Sequence, residues 1–182
     1  MAIVASDIKF RRTIKTATSG NSLAQASGVA SLGTYMSTTD IPPSLHALFA
    51  QMSATDNANR VSQYLSIAIY NAHATLTLTG ARAWFSGGDP AGGALVTMAV
   101  DPTAASIANS ASAQGLTLAT ITAPGSSVTS LTYSAPSVST SGLLLGDIPA
   151  GYCKFLILKR TGNNSIAIDE TVNLAITGFT LA

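Results

Sequence analysis

The chain has 182 residues, of which 9% are charged, with 9 Lys+Arg set against 8 Asp+Glu and a net charge of +1. An ordinary soluble domain carries about a quarter charged residues, so this surface is close to neutral; that argues against a general attraction to nucleic acid and favours association with other proteins. The hydrophobic fraction of 47% is that of a folded protein, and the length suits one domain with a sizeable core.

The single cysteine, Cys153, opens the stretch Cys153-Lys154-Phe155-Leu156-Ile157 and reads as a small buried hydrophobe. With one thiol the chain forms no internal disulfide, which suits a reducing cytoplasm. Residues 1–7 lack the basic-then-apolar layout of a secretory signal, and no run reaches the roughly 20 apolar residues that cross a bilayer. The mean hydropathy of +0.37 reflects missing charges.

Residues 7–15 alternate apolar and polar, with Ile8, Phe10 and Ile14 on one side after a slip at Arg11-Arg12, and this predicts a strand. Four of the nine basic residues sit there: Lys9, Arg11, Arg12 and Lys15. Residues 16–40 are mostly Ser, Thr, Ala and Gly and read as an extended arm. Pro42-Pro43 stops regular structure, and Ser44 then suits the cap of a short helix over residues 45–52. On it Leu45, Leu48, Phe49 and Met52 would form one stripe.

From Ser62 onward the chain reads as short strands between turns. Leu65, Ile67 and Ile69 alternate, as do Leu76 and Leu78. Gly80 permits a bulge before Ala83, Trp84 and Phe85. Residues 86–93 are a Gly-rich loop and 95–100 a strand, with weaker strand patterns at 116–122 and 128–133. Residues 142–146 are short and buried in character. A type I turn over Ile148-Pro149-Ala150-Gly151 feeds a strand at 152–160, and Val172, Leu174 and Ile176 close the pattern. About seven strands at this spacing predict an all-β, antiparallel immunoglobulin-like β-sandwich over residues 61–182. Residues 1–60 are expected to supply a strand, an extended N-terminal arm and one short helix.

Three blocks resemble a family of tailed-bacteriophage virion proteins. They are Tyr70–Gly80 leading into Ala83-Trp84-Phe85, Leu145–Tyr152 running through Leu158–Thr161, and Asn173–Gly178. Ile8-Lys9-Phe10 followed by Ser44–Phe49 resembles the opening of such proteins. The resemblance implies a non-enzymatic virion component with an immunoglobulin-like sandwich, assembled in the host cytoplasm, and supplies no catalytic residues.

The residues themselves point away from chemistry. His46 and His73 read as helix-face and turn residues, Glu170 is the sole glutamate, and no Gly-x-Ser-x-Gly elbow or Cys/His cluster occurs. Asp89 and Asp101 each precede a proline and read as turn formers. No catalytic residue, metal or cofactor is therefore expected. The candidate partner contacts are Lys9, Arg11, Arg12 and Lys15, which face an acidic partner or nucleic acid, or else line a solvated strand edge without the aromatic residues that base stacking needs. Leu45, Leu48 and Phe49 join them, either closing the sandwich or docking on a neighbour. Lys154, Lys159 and Arg160 are expected on an exposed strand face. Trp84 reads as a core anchor or, alternatively, as a sugar platform beside the 86–93 loop. The leading expectation is a capsid cement or decoration subunit that binds the major capsid protein and itself. A tail, baseplate or neck component and a carbohydrate-binding module are the alternatives.

Overall fold

In the computed structural model, which describes residues 2–44, 46–88, 93–103, 107–164 and 171–180, two antiparallel sheets pack face to face. Strand makes up 44% of the structure, and among the described residues the α-helices are two short ones. Among the described residues there are nine strands: β1 (Ile8–Ile14), β2 (Tyr35–Asp40), β3 (Ser62–Asn71), β4 (Leu78–Gly88), β5 (Ala94–Val100), β6 (Ile107–Asn109), β7 (Leu143–Ile148), β8 (Tyr152–Gly162) and β9 (Val172–Thr180). The larger sheet runs β2-β1-β3-β8-β5, with β6 also on β8, and the smaller runs β7-β4-β9.

The β3–β8 ladder is the spine, unbroken from Ser62 opposite Thr161 to Tyr70 opposite Cys153. Because side chains alternate across a strand, each of these strands contributes to two cores. Ile67 and Ile69 of β3 and Leu156 and Leu158 of β8 face the smaller sheet, where they meet Ala81, Ala83 and Phe85 of β4 and Ile148 of β7. Each aliphatic side chain wholly removed from water here contributes about 1.5–3 kcal/mol. Tyr64, Ala68, Phe155 and Ile157 point the other way, beneath a layer of non-sheet chain.

That layer is where the sequence reading needs correction. Residues 116–122 and 128–133 form no ladder. Thr117 makes one isolated bridge to Gly33, and residues 126–129 are the short helix α2 (Ser126–Thr129). Leu118 and Val128, fully buried, cover Tyr64 and Ile157 instead of pairing as strands. The apolar residues were legible, but their role is to cap a sheet.

Two segments of residues 1–60, Ile8–Ile14 and Tyr35–Asp40, are built into the larger sheet. β1 pairs with β3 from Ile8 opposite Asn71 to Arg12 opposite Ile67, and β2 pairs with β1. The slip at Arg11-Arg12 is a real register shift between Arg11 and Thr13. Thr13 and Ser31 hydroxyls both donate to the Ser66 carbonyl (3.1 and 2.6 Å), and Ser31 Oγ accepts the Thr13 amide (2.8 Å), so these two buried hydroxyls are satisfied.

The helix expected over 45–52 does not form. Residues 46–49 are turns and bends, 50–52 are irregular, and Leu45 lies outside the described residues. His46 has φ +57, which no right-handed helix accommodates. The Ala47 and Ala50 carbonyls accept from arginine side chains rather than from amides one turn on. A short helix does follow, α1 (Ala54–Ala58), with Ser53 accepting the Asp56 amide at 3.0 Å. The Gly80 bulge is present at φ +60. The turn before β8 sits one residue later than expected: Tyr152 donates to the Pro149 carbonyl at 3.0 Å, with Gly151 at φ +76.

Candidate functional site

The four clustered cations separate on folding, because successive residues of a strand face opposite ways. Arg11 reaches Asp40 at 2.8 Å and Asn21 at 2.6 Å and lies 4.8 Å above the Tyr70 ring. Arg12 turns to the other face and is buried, donating to the carbonyls of Gln25, Ala26 and Ala47 at 3.2, 2.5 and 2.7 Å. Lys15 donates to the Leu118 and Ala119 carbonyls at 3.2 and 3.3 Å. Three of the four thus hold this chain together. The Lys9 side chain makes no hydrogen bond or ion pair among the described residues.

Leu48 and Phe49 pack half-buried against the inter-sheet core, so they close the sandwich. Arg160 lies 4.8 Å over the Phe49 ring, donates to the Ala50 carbonyl at 2.6 Å and also bonds Gln63. Gly28 lets this segment approach, since a Cβ there would stand 2.3 Å from the Leu48 carbonyl oxygen. Lys154, expected on an exposed face, is buried and donates to the Asp101 carbonyl at 2.8 Å. Burial pulls its pKa down, opposed by the charge of Asp101. Lys159 lies over both the Tyr64 and the Tyr133 rings.

The reactive residue types have structural duties. Cys153 is buried, and desolvation pushes its thiol up to about 12, with Arg11 opposing weakly, so it stays protonated and inert. His73 Nδ1 accepts the amides of Thr75 and Leu76 at 3.1 and 3.0 Å and closes a turn. The Asp101 carboxylate accepts the Thr103 and Leu116 amides, as a turn former should. Asp89 and Glu170 lie outside the described residues. Among the described residues no group of three or more His, Cys, Asp or Glu could hold a metal ion, and no helix is long and apolar enough to cross a membrane.

Trp84 is neither core nor free platform. Ala83 and Phe85 take the inward positions, and Trp84 lies half-buried on the outer face of the smaller sheet, its indole N–H donating to Thr177 Oγ1 at 2.8 Å. The sugar reading also needs the 86–93 loop, of which residues 89–92 lie outside the described ones.

The same outer face carries apolar side chains that the sequence reading did not single out. Leu144 is 57% exposed and Phe179 72% exposed. Leu144 lies opposite Arg82, which lies opposite Thr177 on the far strand. Arg82 is tied down by donating to the Gly142 carbonyl at 2.9 Å, so the face presents hydrocarbon and hydroxyl around one restrained cation. The signal was available: in Leu143-Leu144-Leu145 a period of two must send the middle leucine outward.

Comparison with protein-family models, with curated proteins and with solved structures found no match to this chain.

Proposed function

We propose that this protein is a structural, non-catalytic part of a tailed-phage virion, a capsid cement or decoration subunit that binds neighbouring capsid proteins. The observation that carries the reading is the outer face of the smaller sheet, where Leu144 and Phe179 stand exposed on the same face as Trp84 in a molecule almost without charge. Large exposed apolar side chains on one sheet face mark a contact surface. The three sequence blocks that resemble virion proteins fall on β3–β4, β7–β8 and β9, so they include all three strands of that sheet.

The contact is mechanical. Hydrophobic area leaves water at about 25 cal/mol per Å², and the rigid sheet loses little conformational freedom on binding. This moves the expected contact away from the N-terminal basic cluster, most of whose charges are used internally.

The test adds purified protein to particles assembled without it. Wild-type protein is expected to bind. A Leu144→Asp, Phe179→Asp double variant should keep its melting transition, since both positions are exposed, and lose binding by about tenfold or more. Equal binding by a folded double variant would overturn this assignment of the contact face.

A further inference from the structure

Residues 46–53 pack against the inter-sheet core without joining either sheet. They form turns and bends followed by irregular chain, and none of them is fully buried. Both ends of the segment are anchored. Upstream, the Ile41 amide donates to the Phe10 carbonyl of β1 at 2.8 Å, and Pro42-Pro43 stiffen the chain that leaves it. Downstream, Ser53 caps α1, and Asn57 Oδ1 of α1 accepts the amides of Asn163 and Asn164, just past β8, at 3.1 and 3.2 Å.

Between the anchors, side chains fasten the segment to the sheets. Arg12 of β1 donates to the Ala47 carbonyl at 2.7 Å. Arg160 of β8 donates to the Ala50 carbonyl at 2.6 Å and lies 4.8 Å over the Phe49 ring. Leu48 and Phe49 rest half-buried on the core. A sheet opens only when many ladder bonds break together. This segment detaches by releasing two guanidinium–carbonyl bonds and two half-buried side chains, and regions with few buried apolar contacts open at lower free energy than core strands. Neither arginine needs to move. Arg12 keeps its bonds to Gln25 and Ala26, and Arg160 keeps Gln63.

We infer that residues 46–53 are a lid that opens as one unit while both sheets stay formed, with Arg160 as its latch. Opening strips Leu48 and Phe49 from the inter-sheet core and bares the side chains beneath them. The latch combines a hydrogen bond from a charged donor with a cation over an aromatic ring, and its loss is expected to raise the open population about tenfold or more. The lid rests on the inter-sheet core rather than on the outer face of the smaller sheet, so the inference holds whatever that face binds.

The test is native-state proteolysis of the full chain by thermolysin, which cuts before Leu, Phe and Met and so finds sites at Leu48, Phe49 and Met52. When closing outpaces cleavage, the rate follows the population of the open form. The first cut is expected within residues 46–53, at a rate that urea below the unfolding transition does not change. Arg160→Ala should raise that rate about tenfold or more. Arg82→Ala, which frees a guanidinium held by Gly142 beside the smaller sheet, should leave it unchanged. If Arg160→Ala does not fold, Phe49→Leu, which keeps a thermolysin site and removes the ring under the guanidinium, carries the comparison. A first cut elsewhere, a rate that climbs with urea in step with global unfolding, or equal rates with and without the latch would each overturn the inference.

Discussion

Arg11 and Arg12 are chemically identical neighbours, yet one makes an exposed ion pair and the other is buried among three carbonyls. The difference is one step along a strand. Hydrogen bonds from a charged donor are worth about 1.5–3 kcal/mol each, and the three carbonyls belong to two separate loop segments that Arg12 joins to β1. Arg12→Ala is therefore expected to lower the unfolding free energy in urea by about 2–4 kcal/mol. Lys9→Ala, removing a cation with no such partner, should change it by no more than about 0.5 kcal/mol. Equal effects would mean that the guanidinium contacts do not hold the fold. The cluster itself was plain in the sequence. Its dispersal was not, because the carbonyls that bind Arg12 come from residues 25, 26 and 47, and nothing local encodes that meeting.

At the scale of elements, alternation was the readable signal. β1, β3, β5, β8 and β9 follow the period-two patterns closely, since their inward residues must be apolar whatever lies opposite. The helix expected over 45–52 failed because spacing of Leu45, Leu48, Phe49 and Met52 also suits an irregular segment draped over a core. His46 at φ +57 and the side-chain claims on its carbonyls settle that contest locally. The non-sheet layer was equally hidden, being pinned by single long-range contacts. One is Gly33, at φ +90, where a Cβ would lie 1.9 Å from the Leu116 carbonyl oxygen. Gly33→Ala is expected to cost about 2–4 kcal/mol, through left-handed strain and displacement of residues 116–117. Amide exchange should report that loss first over residues 113–131. A neutral Gly33→Ala would show that this bridge does not anchor the layer.

For the whole molecule, the low charge takes on a definite distribution. Arg11, Arg12, Lys15, Arg82, Lys154 and Arg160 all bond within the chain, leaving a surface of hydroxyls with few free cations. Such a surface resists association weakly. Composition announced that property, and alternation announced the sandwich. Which face carries exposed apolar side chains depended on how the two sheets overlap, a relation between strands distant in sequence. The exposed Leu144 and Phe179 both belong to the smaller sheet, so that sheet is where partners are expected. The proposed virion role is tested most directly by locating the protein in intact phage particles. A small tag inserted at residues 139–141, where exposed Thr140 and Ser141 lie outside the strands, would be located by electron microscopy. Regular label over the head is the predicted result; label confined to the tail, or particles carrying none, would contradict a capsid cement or decoration subunit.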